Sequence, residues 1–174
     1  MTTDTHPPAA TDGKHPVTAL AGPYGHPFHP ILVTVPIGAW VASLVFDIVS
    51  RAGDDAATFA EGAYWLVGIG IVGALAAAIF GFLDLLAIPT GTRAFRTALV
   101  HMVLNLAVVA LFAVGFALRR SRLDEPDGTP IGVLGLSVVA LALLGASGWL
   151  GGMLTYRYGV RVVDDATQVD AGRT

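Results

Sequence analysis

Four apolar runs, Ile31 to Val49, Ala63 to Ile88, Ala98 to Leu118 and Ile131 to Leu154, dominate this chain, and only Asp47, Asp84 and His101 interrupt them with an acid or an imidazole. Each is close to the roughly 20 residues a helix needs to cross a bilayer. With 54% hydrophobic and 13% charged residues in 174, the chain has too little polar surface for an ordinary soluble domain. The runs predict an integral membrane protein of the all-α class. Short links make successive helices antiparallel neighbours, so the expected architecture is an up-down-up-down four-helix bundle with both termini on one side. The expected boundaries are a disordered, Pro-rich tail over 1–25, a transmembrane domain over 26–160 with helices at about 30–50, 63–88, 98–119 and 131–156, and a polar tail over 161–174.

Composition removes several functional classes. A net charge of -3, with no Lys/Arg cluster flanking exposed aromatics, lacks the footprint of nucleic-acid binding. The absence of cysteine excludes disulfides, thiolate metal sites, cysteine-held iron-sulfur clusters and covalently attached haem. Any cofactor must therefore be held by His, carboxylate or backbone. The tail lacks the charged start and long apolar stretch of a cleavable signal, which leaves the first membrane helix as the targeting element. Arginine far outnumbers the single Lys14, and alanine and glycine abound, a bias of GC-rich bacterial genomes that points to a bacterial inner membrane. Basic residues near the membrane favour the terminal side slightly, with Lys14, Arg93, Arg96, Arg157 and Arg161 against Arg51, Arg119, Arg120 and Arg122. Cytoplasmic termini are expected on that ground.

Pro30 suits the first position of a helix, leaving His29 as its N-cap. Pro36 opens a backbone gap that a hydroxyl such as Thr34 can cover. Thr97 is the expected cap of the third helix. Gly73, Ala77 and Gly81, and separately Gly148 and Gly152, recur every four residues and allow close helix approach.

Alternating helices bring His26, His29, Asp84, His101, Asn105 and Tyr156 to one membrane side. Ionisable groups at that depth are costly unless paired or used. His26 and His29 each precede proline, which spreads them along extended chain and makes them a poor chelating pair. His29 and His101 are the better candidates, as ligands of a b-type haem or a divalent metal, with His26, Asp84, Asn105 and Tyr156 as outer partners. Both lie near helix N-termini, where a neutral, ligating ring is favoured. The competing expectation is structural: His29 capping its helix, Asp84 pairing with Arg93 or Arg96, and His101 bonding Asp84 or Asn105. Asp47 stands four residues before Arg51, the spacing of an intrahelical ion pair.

The string from Gly25 to Gly38, with its His-Pro-Phe-His-Pro core, then Gly81 to Asp84, His101 to Asn105, and Gly151 to Val162 together resemble the ordered motifs of an uncharacterised bacterial family of four-helix membrane proteins, a domain of unknown function. The resemblance implies the bundle but no activity. Some members of that family are joined to a Rieske-type iron-sulfur domain, which implies an association with membrane electron transfer; these 174 residues contain no cysteine to hold such a cluster.

Three functions remain: an accessory or redox-linked subunit holding haem or metal between His29 and His101, a structural or assembly protein whose cluster satisfies itself, and a small proton-coupled transporter. No nucleophile-base pair, phosphate loop or zinc-protease motif supports an enzyme. The expected partners are the lipid bilayer, with a membrane redox partner or a second copy of the chain beside it.

Overall fold

The computed structural model describes residues 13–122 and 127–171. Four helices are long and apolar enough to cross a membrane: α1 (His29–Ala52), α2 (Ala56–Leu86), α3 (Arg93–Arg120) and α4 (Ile131–Arg157). A short α5 (Asp165–Ala171) follows, and no strand occurs among the described residues. Pro36 lacks an N–H to give the carbonyl one turn back. Accordingly α1 is interrupted at Val33, where Thr34 Oγ1 donates to the Ile31 carbonyl at 2.7 Å. The last turn of α4, Met153–Arg157, is a π turn.

Three of the four helices begin before their apolar runs, and α4 begins with its own at Ile131. Helix α2 starts at Ala56 rather than 63, and α3 at Arg93 rather than 98. Thr92, not Thr97, caps α3: its backbone is extended and its hydroxyl accepts from the Phe95 N–H at 3.1 Å. Hydrophobicity marks the part of a helix that meets lipid, whereas hydrogen bonding carries the helix on into the polar interface. His29 does not cap α1 either. It lies inside the first turn, after Phe28, which frees its ring for a neighbouring helix.

Successive helices pack as neighbours, and α1 also packs on α4, closing the ring of four. Trp40 and Phe112 stack in the middle with ring centroids 4.2 Å apart, among buried Val67, Val108 and Ala140. The Trp40 indole donates to the Val67 carbonyl at 3.3 Å and lies where a side chain on Gly70 would be. Gly73 faces Val35 and Pro36, and Gly81 faces the His29 ring, so the small residues of α2 form its seam with α1. Gly148 behaves differently from expectation. A Cβ there would meet nothing within 4 Å, because this side of α4 is turned outward, away from the other three helices.

The two hairpins repeat one pattern. Pro36, Trp40, Ser43 and Asp47 of α1 are buried, as are Val108, Phe112, Gly115 and Arg119 of α3, each 72 positions further along. Buried Ala63, Val67, Gly70 and Ala77 of α2 correspond in the same way to buried Val133, Ser137, Ala140 and Ser147 of α4, at an offset of 70. Equivalent side chains of α1 and α3 meet at three levels: His29 with His101, Trp40 with Phe112, and Asp47 with Arg119. That is the contact pattern of an approximate two-fold relation between hairpins.

The first 12 residues of the expected disordered tail lie outside the described residues. From Gly13 the chain packs on the segment after α4: Gly13 accepts from the Arg161 N–H at 2.8 Å, and the Tyr24 hydroxyl accepts from the Asp164 N–H at 2.7 Å. Asp164 then accepts from the Thr167 N–H at 2.8 Å, which holds its carboxyl below the usual carboxylate range. Both terminal segments thus occupy one end of the bundle. The four-span arrangement predicts that single cysteines at Asp54 and Asp127, in this otherwise cysteine-free chain, react with an impermeant thiol reagent from one side of the membrane and a cysteine at Thr90 from the other. Reaction of all three from the same side would contradict it.

Candidate functional site

Polar side chains gather at two levels of the bundle, separated by the Trp40–Phe112 layer. At the level away from the termini, Arg119 Nη2 meets Asp47 Oδ2 at 2.5 Å and donates to Ser137 Oγ at 3.0 Å. Thr129 donates to the other oxygen of Asp47 at 2.8 Å. Both charged side chains are buried. The pairing of Asp47 with Arg51 expected from their spacing is therefore corrected. Arg51 is exposed and donates to the Thr129 carbonyl at 3.0 Å, while Asp47 faces the bundle interior, where the cation within reach comes from α3. A buried carboxylate has most to gain from a partner equally removed from water. Nη1 and Nε of Arg119 have no hydrogen-bond partner among the described residues, and the guanidinium borders a cavity of about 30 Å³ lined also by Glu61 and Thr129, large enough for water.

At the terminal level, the His29 and His101 rings meet edge to face, with centroids 6.3 Å apart. Each docks on the next helix in the same way. His29 Nδ1 lies 2.9 Å from the Ala77 carbonyl, and Gly81, one turn on, leaves room for the ring. His101 Nδ1 lies 2.8 Å from the Ser147 carbonyl, and Gly151, again four residues on, has its missing Cβ 3.2 Å from the ring. A carbonyl only accepts, so Nδ1 carries the hydrogen in both rings, and in the neutral imidazole the lone pair is then on Nε2. His29 Nε2 has no hydrogen-bond partner among the described residues. His101 Nε2 has one: Asn105 Nδ2 at 3.1 Å. The same amide nitrogen lies 2.9 Å from the His101 carbonyl and 2.8 Å from Ser147 Oγ.

The other residues expected here are dispersed. Asp84 pairs with neither Arg93, Arg96 nor His101. Its Oδ1 is 3.0 Å from Arg161 Nε, an ion pair whose angle does not make a hydrogen bond. Arg161 comes from beyond α4, with a left-handed φ of 61°, and its Nη2 also donates to the Ala21 and Gly22 carbonyls at 3.0 Å. Arg93 and Arg96 are exposed on the first turn of α3, which leaves Asp84 to the cation that is buried with it. Tyr156 is 91% exposed, because the π turn rotates it away from the helices, and His26 is exposed outside α1. Neither contributes to the two-histidine cluster. Sequence reading missed Ser147, Arg161 and the two glycine shelves. The signal was the equal spacing of His29, Trp40, Asp47 and of His101, Phe112, Arg119, which places each triplet on one helix face.

Fold and site together define a membrane protein of four spanning-length helices with two buried polar levels. The chain belongs to the family described as "Predicted membrane protein (DUF2231)", whose model matches residues 25–164. Comparisons with curated proteins and with solved structures find no match.

The Asp47–Arg119 pair yields a stability test. Removing one partner strands a buried charge, which typically costs about 3–5 kcal/mol, whereas removing both is close to neutral. Asp47→Leu and Arg119→Met should each destabilise the detergent-purified protein by about that amount, and the double variant should recover most of the loss. Additive losses in the double variant would mean that the two side chains act independently.

Proposed function

We propose that His29 and His101 form a two-imidazole metal centre at the terminal end of the bundle, binding the iron of a b-type haem or a divalent ion. The chief support is the matched pair of hydrogen bonds from Nδ1 to the Ala77 and Ser147 carbonyls. Metal-ligating histidines are held in this way by their other nitrogen, which fixes tautomer and ring orientation and makes Nε2 a better donor to metal. Equivalent positions on the two hairpins bring the nitrogens to the same level from opposite helices. Among the described residues no third His, Asp or Glu converges with them. Two imidazole donors would therefore suit haem iron, or an ion completed by water, better than a closed four-ligand zinc site. In this reading the protein is an accessory or redox-linked subunit of a bacterial inner membrane, with cytoplasmic termini.

A second reading, a structural protein with a self-satisfied cluster, is favoured by the closed Asn105–His101–Ser147 network. A proton relay has less support, since the stacked Trp40 and Phe112 fill the section between the two polar levels.

Protein purified in mild detergent from cells supplied with iron, haem precursor and zinc should carry either a haem absorption band or a stoichiometric metal. His29→Ala and His101→Ala should each abolish it while helical content is retained, a larger effect than the roughly 10- to 100-fold loss typical of an outer partner. Asp84→Asn should leave the bound metal in place, because Asp84 is committed to Arg161. Wild-type protein free of haem and metal would contradict the proposal, and a loss of stability by roughly 1 kcal/mol in His101→Ala would then fit the structural reading.

A further inference from the structure

His29 and His101 sit in unequal surroundings. His29 and His101 share a carbonyl on Nδ1 and a glycine one turn beyond it. The equivalents of Asn105 and Ser147 in the first hairpin are Val33 and Ala77, which have no polar side-chain atom. Only His101 therefore has a donor on its metal-facing nitrogen. That donor is oversubscribed: Asn105 Nδ2 carries two hydrogens and lies within 3.1 Å of three acceptors, of which His101 Nε2 is the most distant. Withdrawing from Nε2 leaves both hydrogens with partners, at Ser147 Oγ and the His101 carbonyl. No buried donor is orphaned, so the usual large cost of breaking a buried hydrogen bond does not arise.

We infer that Asn105 is a displaceable cap on the ligating nitrogen of His101. This rests on the two-imidazole reading above and refines it. Metal meets the bare His29 Nε2 first, and the Asn105 amide then gives up His101 Nε2, keeping the bonds it already has to Ser147 Oγ and the His101 carbonyl, as His101 completes the pair. Asn105 is a positioning residue that opposes binding, the reverse of an ordinary outer partner, and Ser147 Oγ is the acceptor that retains the amide when it leaves Nε2. The cap keeps His101 satisfied inside the bundle when no metal is bound, which an uncapped nitrogen at that depth would not be.

The test is titration of metal-free, detergent-purified protein with zinc and, separately, with haem, following heat and absorbance. Asn105→Val places in the second hairpin the residue found in the first. It should bind whichever probe the wild type binds roughly 2- to 10-fold more tightly, the equivalent of one neutral hydrogen bond no longer in competition. Ser147→Ala removes the amide's alternative acceptor while keeping the backbone carbonyl, and should weaken binding by a similar factor. Unchanged or weaker binding by a folded Asn105→Val protein would overturn the cap, leaving the two-histidine centre intact. If Asn105→Val does not fold, Ser147→Ala decides alone, and unchanged or tighter binding there overturns the cap. A wild type that binds neither zinc nor haem overturns the centre and the cap together.

Discussion

A bilayer interior offers no water to a stranded charge, and the buried pair of Asp47 and Arg119 is where this chain meets that constraint most severely. Two ions without solvent can persist only when each also has hydrogen-bond partners, and here those partners come from separate elements. Ser137 reaches Arg119 from α4, and Thr129 reaches Asp47 from the segment leading into α4. Thr129 is itself fixed to the end of α1, with its N–H on Ser50 Oγ at 3.0 Å and its carbonyl on Arg51. Gly128 passes so near the Ser50 carbonyl that a side chain there would collide with it. Satisfying one carboxylate thus sets the position of α1, α3 and α4 relative to one another. Residues above the pair, Trp40 on Phe112 and His29 against His101, then follow from the shared helix spacing.

The same constraint explains the opposite end. Asp84 has Arg161, and Arg161 holds the N-terminal segment through Ala21 and Gly22, so the cover of this end is built around a charge pair as well. What remains are two imidazoles whose Nδ1 hydrogens are committed to carbonyls. One of the remaining nitrogens is capped by an amide and the other is bare.

Much of the fold was legible because apolar length is a coarse and robust signal: four runs gave four spans, and links of a few residues gave antiparallel neighbours. Gathering His29, His101 and Asn105 at one end followed from direction alone. Partner choice was not legible. Asp47 with Arg51 is the better pair in an isolated helix, but tertiary packing turns Asp47 inward and brings Arg119, 72 positions away, within reach of it. Asp84 with Arg161 fails for the same reason, since Arg161 lies beyond the last span in a stretch that reads as polar tail. Gly148 and Gly152 carry a spacing associated with helix contact, yet spacing does not say whether the face meets a helix or lipid. Helix ends were misplaced by up to seven residues, as Ala56 against 63, because polar turns continue a helix that hydropathy has already left.

Everything assigned to the two-histidine site depends on which nitrogen of each ring carries the hydrogen. Nitrogen NMR of metal-free protein labelled in its histidine rings, with His29 and His101 identified by single substitution, reads this directly. The account predicts a protonated Nδ1 and an unprotonated Nε2 for both residues, with the His101 Nε2 resonance alone displaced by a hydrogen bond. Protonation on Nε2 in either ring would contradict it, because that nitrogen would then have no lone pair to offer a metal.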